Sequence, residues 1–187
     1  KNQDIFEKYT LYQDLYDYTS GKNPLRMSFE RYVLSAYFEQ ILEFANIELL
    51  KMTQGRFALY RKKDVKGVKQ QGLDLSVLDY ETGMMRDIQS LSGGESFKAA
   101  LSLALGLSSM IQNYAGGIEL NTLFIDEGFG TLDHESIDQA LSVLMDLKND
   151  HKTIGIISHV DELKERIDTQ IIVEKGQQGS SLHIERG

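Results

Sequence analysis

The sequence has no cysteine and no tryptophan, and Pro24 is its single proline. Without cysteine, the 187 residues form neither a disulfide framework nor a thiolate metal site, which suits a reducing cytoplasm. No apolar run reaches the length needed to cross a bilayer, and the opening Lys-Asn-Gln-Asp is not that of a signal peptide. These absences argue against a secreted or membrane-spanning segment, and we expect a cytoplasmic location.

Positive charge is also scarce, because 20 basic residues face 28 acidic ones and the formal net charge is −8. This balance excludes a uniformly basic nucleic-acid binder. Residues 51–69 are the exception, with seven basic residues and one acid. Such a cluster is most often a solvated surface, but it can also contact DNA phosphates, and the sequence leaves both interpretations open.

The hydrophobic fraction of 41% is that of a globular protein, and the length suffices for one domain or a large part of a bigger one. Apolar spacing predicts a first helix over residues 4–18 and a break at residues 21–24. Ser28 is suited to cap a second helix, which ends near Gly55 and is apolar on two sides. Residues 56–62 and 73–79 are predicted strands, followed by a turn at residues 81–83.

The second half of the sequence alternates strand-like and helical segments. We expect a deeply buried helix over residues 95–114 and a short final strand over residues 181–185. Between them, strands are predicted at residues 121–126, 153–158 and 169–173, and helices at residues 134–149 and 160–167. This alternation predicts an α/β fold with a mainly parallel sheet and flanking helices.

Two adjacent acids, Asp126 and Glu127, follow the apolar run Leu123-Phe124-Ile125. Because ligands of parallel sheets gather at the carboxyl ends of the strands, these acids could serve a nucleotide. Asp126 would then hold Mg²⁺, and Glu127 would orient or deprotonate the water that attacks the γ-phosphate. When the two acids are considered alone, an acidic turn after a strand is the favoured explanation of the pair.

Two further features favour phosphate chemistry at the same site, and a third residue lies close to them in the sequence. Ser92-Gly93-Gly94-Glu95 precedes the long helix, so the serine can cap it and the glycines allow a phosphate to approach backbone N–H groups. His159 follows the strand at residues 153–158 and could sense a γ-phosphate, although a lone histidine is usually structural. Asp133 has an ordinary role as a helix N-cap.

Together these residues resemble the C-terminal half of an ABC-type ATPase head. The signature at residues 91–95, the Walker B strand at 123–127, the D-loop at 130–133 and the switch histidine His159 occur in the family's order and spacing. Glu95 in the signature and the Gly-Phe-Gly-Thr-Leu-Asp that follows the acids resemble the branch of SMC proteins and DNA-repair ATPases. Residues 26–42 and 50–57 are similar to the SbcC family in particular.

The resemblance implies a site shared between two heads. ATP and Mg²⁺ are the implied ligands: Asp126 would hold the metal, and Glu127 and His159 would be catalytic. Ser92, Gly93, Gly94, Glu95 and Asp133 would contact the nucleotide of a second copy of the head. No Gly-x-x-x-x-Gly-Lys-Ser/Thr occurs in the sequence, so the phosphate loop would lie in an N-terminal half of the same protein. We therefore expect a fragment that does not hydrolyse ATP alone.

The resemblance also implies a division of the chain and a set of partners. Residues 1–20 would be the base of a coiled-coil arm, and residues 21–187 the C-terminal lobe of the head. The expected partners are an SbcD-type nuclease subunit, which would carry the DNA cleavage, and double-stranded DNA, with contacts at Arg61, Lys62 and Lys63. The function would be ATP-driven control of a nuclease that processes DNA ends and hairpins in recombination and repair. The alternatives are another SMC- or RecN-type ATPase and a non-hydrolysing interaction module.

Overall fold

Two long helices open the computed structural model, which describes residues 2–24, 26–62, 73–114, 120–149, 152–176 and 179–186. Helix α1 spans Asn2–Ser20 and helix α2 spans Phe29–Met52, so both predicted helices are confirmed. The Ser28 side chain accepts the Arg31 N–H at 3.3 Å, which is the expected N-cap. Most apolar side chains of α1 are more than half exposed, among them Ile5, Tyr9, Tyr12 and Tyr16.

Helix α3 (Gly93–Tyr114) packs closely against α2. A Cβ at Gly106 would lie 2.5 Å from the carbonyl oxygen of Ile41 and 2.7 Å from the backbone nitrogen of Ala45, so the approach requires glycine. The expectation that α3 is deeply buried is wrong in part, because only one face is covered. Leu101 and Leu105 are buried on that face, whereas Leu107 is 43% exposed.

A three-stranded antiparallel sheet covers part of this helix pair. Its strands are β1 (Phe57–Arg61), β2 (Leu75–Asp79) and β3 (Met84–Asp87), in the order β1-β2-β3. The strands β1 and β2 confirm the prediction, whereas β3 was missed because its four residues are mostly exposed and lack an apolar alternation. The core beneath the sheet consists of Leu42, Leu49, Phe57, Leu59, Val77 and Ala99.

A parallel strand pair forms the centre of the second half. Strands β4 (Thr122–Asp126) and β5 (Thr153–Ile157) pair in register from Thr122 opposite Thr153 to Asp126 opposite Ile157. Helix α4 (His134–Asn149) lies between them in sequence, and the short helix α5 (Asp161–Arg166) follows β5. Leu123 and Ile125 pack on a core that includes Phe129, Ile137, Ala140 and Leu144.

The last two strands form a hairpin: β6 spans Thr169–Gly176 and β7 spans Gly179–Arg186. The final strand is thus confirmed and is longer than predicted. The expectation that β6 continues the parallel sheet is wrong for the described residues, because β6 pairs antiparallel with β7 along its whole length. The backbone hydrogen bonds that β6 would have made with a parallel neighbour are made with β7, the next strand in the sequence.

The α/β fold class, with helices beside a parallel strand pair, is confirmed. The boundary between an arm base at residues 1–20 and a lobe at residues 21–187 stays a prediction. Gly21, with φ of +96°, ends α1 at that boundary. None of the described helices is long and apolar enough to span a membrane.

Candidate functional site

The two acids predicted to carry the chemistry lie where β4 ends. Asp126 is the last residue of the strand, and Glu127 begins the turn beyond it with a left-handed φ of +59°. The Glu127 N–H donates to the carbonyl oxygen of Ile157 at 2.9 Å, which extends the ladder by one residue. A left-handed conformation is unfavourable for a residue with a Cβ, so the turn is held by its surroundings.

Glu127 is in direct contact with His159. The His159 Nδ1 lies 2.9 Å from Glu127 Oε2, although the whole of α4 and β5 separates the two residues in sequence. Both side chains are well exposed, at 79% for the histidine and 50% for the acid. A proton on Nδ1 that is donated to the carboxylate leaves Nε2 free for a ligand. The expectation that parallel strands bring these residues together is confirmed.

Gly128 sets the direction of the chain after Glu127. Its φ is +100°, and a Cβ there would lie 2.4 Å from the Phe97 ring. This close approach lets Phe97 of α3 pack on the fully buried Phe129, with ring centroids 4.8 Å apart. A 3-10 turn at Phe129–Thr131 is thereby placed against the start of α3.

The start of α3 is closed by a capping box. The Glu95 N–H donates to Ser92 Oγ at 3.3 Å, and the Ser92 N–H donates to Glu95 Oε2 at 2.8 Å. The cap predicted for Ser92 is confirmed, and Glu95 has a structural role that sequence analysis did not assign. The Ser92 hydroxyl proton is still available to donate to another group.

The two signature glycines also have a packing role. A Cβ at Gly93 would lie 3.4 Å from Thr131 Cβ, and one at Gly94 would lie 3.3 Å from Leu132 Cδ2. These glycines therefore bring the signature against residues 130–133, in addition to any access that they give a ligand. Gly130 in turn lies beside His159, since its Cβ would be 3.8 Å from the ring. The four sequence motifs form one continuous surface.

Asp133 caps α4, as its ordinary role predicts. Its Oδ1 accepts the Ser136 N–H at 2.8 Å. Hydrogen bonds from Ser136 hold the pKa of the Asp133 carboxyl below its usual value. The cap fixes this side chain at the edge of the surface formed by the signature.

The predicted residues divide into two groups on this surface. A cleft of about 450 Å³ is lined by Ser92, Gly93, Gly94, Glu95, Thr131 and Asp133, together with side chains from other elements. Glu127 and His159 are not among its lining residues. The structure therefore brings the catalytic candidates together, and the signature and D-loop candidates together, but not all of them in one pocket.

Two cations at the cleft were missed as site residues by sequence analysis. Lys98, only 8% exposed, donates from Nζ to Gln139 Oε1 at 2.7 Å, and its burial lowers its pKa. Arg56 approaches from the turn between α2 and β1. Lys98 had a signal, because it is the only basic residue in α3. Arg56 had none, because its sequence neighbours are far from the signature.

The acids at the end of β4 fit a magnesium ion as the nucleotide's companion. Carboxylate oxygen is the ligand type that Mg²⁺ prefers, and this ion usually binds to one or two carboxylates plus phosphates and water. No group of three or more His, Cys, Asp or Glu side chains that could hold a metal occurs in the described residues. Asp126 would therefore hold Mg²⁺ only in company with a phosphate.

The basic cluster is partly neutralised by neighbouring acids. Arg61 contacts Glu39 Oε1 from Nη2 at 2.7 Å, and Lys62 contacts Asp87. Lys63 lies outside the described residues, as does the rest of the loop to residue 72. Binding of DNA at Arg61 or Lys62 would have to replace these acids as partners, and it stays a prediction.

Sequence comparison relates this chain to known ATPase-associated proteins whose family model includes the Walker B strand. Residues 68–146 match the family described as SbcC/RAD50-like, Walker B motif. The SbcC component of the nuclease SbcCD of Vibrio cholerae is 49% identical over 98% of the chain, and its namesake in Staphylococcus aureus is 43% identical over 99%. The chain spans 18% of the length of each relative.

A solved structure from work on ATP-driven dimerization and DNA stimulated activation of SMC ATPases has the same fold. It superposes with a TM-score of 0.61 at 18% identity, covering 82% of this chain and 88% of that one. The fold is therefore that of an SMC ATPase head.

Proposed function

Because this chain is SbcC-like along nearly its whole length, we propose that it is the C-terminal part of an ATP-hydrolysing head that controls a DNA nuclease. In this proposal ATP closes two heads on each other, and the closed state governs cutting of DNA ends and hairpins. The single observation that carries it is the 2.9 Å contact between Glu127 and His159 at the carboxyl end of the parallel pair. An acid and a histidine there can act together on an attacking water and a γ-phosphate.

The hydrolysis step assigns a role to each side chain at the end of β4. Mg²⁺, when bound with the nucleotide, neutralises the charge that develops on the phosphates. Asp126, the last residue of β4, would hold this ion. Glu127 orients the attacking water and accepts its proton. The left-handed backbone conformation at Glu127 sets the direction in which its side chain leaves the chain. His159 positions Glu127 through Nδ1, and its Nε2 would be available to contact the phosphate.

The cleft lined by the signature serves a second head in this proposal. Ser92, Gly93 and Gly94 offer a hydroxyl and helix N-terminal N–H groups, which suit a phosphate. Glu127 is not among the residues that line this cleft, which supports a division of labour between two nucleotides. In the proposal, each head hydrolyses the nucleotide on its own strand ends and binds its partner's nucleotide through the signature, with Asp133 at that junction.

The remaining parts of the proposal follow from the resemblance to the SbcC family described above. The phosphate loop lies in an N-terminal half, the coiled-coil arm begins in α1, and an SbcD-type protein supplies the nuclease. Arg61, Lys62 and Lys63 contact DNA phosphates, and the complex works in the cytoplasm. The names of the relatives support the nuclease partner, and the exposed aromatic face of α1 is available for further contacts.

The test is Glu127→Gln in the full-length protein. Removing the carboxylate's negative charge should prevent hydrolysis while leaving Mg²⁺ and ATP binding intact, so the variant should accumulate as an ATP-bound closed dimer. Light scattering with ATP measures the dimer, and phosphate release measures hydrolysis. Glu165→Gln is the matched control, because Glu165 is an exposed acid on α5 and is not part of the Glu127–His159 contact. An ATP-loaded Glu127→Gln variant that stays monomeric would contradict the proposal.

A further inference from the structure

The turn between α2 and β1 forms one wall of the cleft beside the signature. Helix α2 ends at Met52, and left-handed conformations at Gln54 (φ +51°) and Gly55 (φ +83°) reverse the chain. The Gly55 N–H donates to the carbonyl oxygen of Leu50 at 2.7 Å. The next residue, Arg56, lines the same cleft as Ser92 and the two glycines.

Arg56 is held in place from its buried side. Its Nη2 donates to Asp79 Oδ2 at 3.3 Å, and Asp79 is only 1% exposed. The guanidinium also lies 4.6 Å from the centre of the Phe57 ring. An arginine fixed by a buried carboxylate and an aromatic ring has lost much of its side-chain freedom already, so a new ligand meets an ordered fork of donors.

The outer side of Arg56 carries a weaker contact. Its Nε lies 2.9 Å from Glu81 Oε2, and the Glu81 side chain is 64% exposed. Ion pairs at such exposure contribute little free energy, because water screens both charges. Within the described residues the contacts of Arg56 involve Nε and Nη2, and a guanidinium has five N–H donors. Donors are therefore available to an incoming acceptor.

The charges of the cleft single out Arg56. Its lining contains four acids, Glu81, Glu95, Asp133 and Glu135, and two cations. A triphosphate entering this acidic cleft needs a cation that it can reach. Lys98 is 8% exposed and bonded to Gln139, whereas the Arg56 side chain is 38% exposed. Among the described lining residues, Arg56 is the accessible positive group.

We propose that Arg56 binds the γ-phosphate of the nucleotide held by the opposite head, replacing Glu81 as the partner of its exposed side. The proposal rests on the proposed function, since it needs the signature to face a second head. Arg56 is then a binding residue supplied in trans, and Glu81 is its internal competitor. Because a two-fold symmetric dimer contains this contact twice, its loss makes the free energy of dimerisation less favourable by twice the contribution of one contact.

The experiment measures ATP-dependent dimerisation of the full-length protein in a Glu127→Gln background, by analytical ultracentrifugation. A charge-assisted contact is equivalent to about tenfold in affinity or more, so losing two should weaken the dimer by about a hundredfold in Arg56→Gln. Glu81→Gln should strengthen the dimer, because the competitor is removed. Arg86→Gln is the control: Arg86 lies 3.5 Å from the same Asp79 Oδ2 and also stacks on Phe57, but does not line the cleft.

Each result decides the matter. If Arg56→Gln weakens the dimer, Glu81→Gln strengthens it and Arg86→Gln leaves it unchanged, Arg56 has the proposed role. If Arg56→Gln and Arg86→Gln weaken the dimer equally, Arg56 acts only through Asp79 and the inference is overturned. If the Arg56→Gln dimer is as tight as its parent, the inference is overturned while the proposed function stands. If the parent itself does not dimerise with ATP, the proposed function fails first.

Discussion

Gly128 is the residue that joins the two groups of the site. It follows Glu127, has a left-handed φ of +100° and gives Phe97 the space in which to reach Phe129. We predict that Gly128→Ala lowers the free energy of unfolding by more than the roughly 1–2 kcal/mol that a left-handed residue with a Cβ costs. The excess arises because the new Cβ displaces the Phe97 ring and with it the start of α3. Urea unfolding measures the change.

Gly83→Ala is the matched control for that substitution. Gly83 also has a left-handed φ, +69°, but a Cβ there has no atom within 4 Å. This variant should lose only the conformational part of the free energy. Equal losses for the two variants would show that Phe97 accommodates the methyl group at no cost, contrary to our expectation.

At the scale of single residues, sequence analysis predicted the positions of the candidate residues because they are close to strand and helix ends. Asp126, Glu127 and His159 follow from the parallel alternation, and Ser92 and Asp133 follow from capping chemistry. Arg56 and Lys98 did not, because the packing of α2 and α3 brings them to the cleft and no local pattern records that packing. The packing role of Gly93 and Gly94 was missed for the same reason.

Among the elements, helices α2 and α3 approach each other so closely at Gly106 that there is no space for a Cβ. Helix propensity alone says that alanine is favoured over glycine by about 1 kcal/mol, so Gly106→Ala would be expected to stabilise α3. We predict the opposite sign, since the Cβ would meet the backbone of Ile41 and Ala45 at 2.5–2.7 Å. Separating the helices should cost about 1–3 kcal/mol or more, as overpacking does. Thermal unfolding measures it.

Ala104→Gly on the exposed side of α3 is the companion variant. It changes propensity without packing and should destabilise by about 1 kcal/mol. A stabilising Gly106→Ala would mean that the helices slide apart freely, and the close approach would then have no energetic meaning.

Elements with a strong local pattern were predicted well, and those defined by their partners were not. The helices from residues 29–52 and 134–149 carry caps and apolar stripes, and their bounds agree with prediction. Strand β3 has neither, and it forms because β2 offers it an edge. The pairing of β6 depended on a choice between β5 and β7 that the sequence of β6 does not encode, because its alternation suits either partner.

For the whole molecule, several aspartates make the free energy of unfolding depend on pH. Burial would raise the pKa of Asp79, but hydrogen bonds from Arg56 and from the Glu81 N–H outweigh it and lower the pKa overall. Contacts with Lys62 and Lys164 lower the pKa of Asp87 and Asp161 respectively. A folded pKa below the unfolded value of about 3.9 stabilises the protein above that pH, and the stability is lost as the pH falls through the folded value.

We therefore predict that the free energy of unfolding falls as the pH drops below about 4. Asp79→Asn should be less stable than the parent at pH 7, and the difference should shrink in acid, since the parent's carboxylate is then protonated too. Denaturant unfolding at a series of pH values measures both curves. A difference that is the same at pH 7 and pH 3 would contradict the assignment to Asp79.

One face of the central strand pair is open to solvent. Phe124 is 73% exposed and Ile157 is 58% exposed, while the opposite side chains of β4 pack on the core. The face of the β6–β7 hairpin that carries Ile171, Val173, Leu182 and Ile184 is exposed as well. Parallel strands are ordinarily covered on both faces, so this side lacks a layer within the described residues.

The consequence of that open face concerns the time before assembly. A freshly synthesised polypeptide that shows Phe124 and Ile157 to water offers neighbouring molecules the same surface that its proper covering would occupy. The fraction of the protein lost to aggregation therefore grows with the time for which this face stays uncovered. If the proposed N-terminal half supplies that layer, co-expression with it should raise the soluble yield of this chain. Without that half, a lower protein concentration should raise the soluble yield.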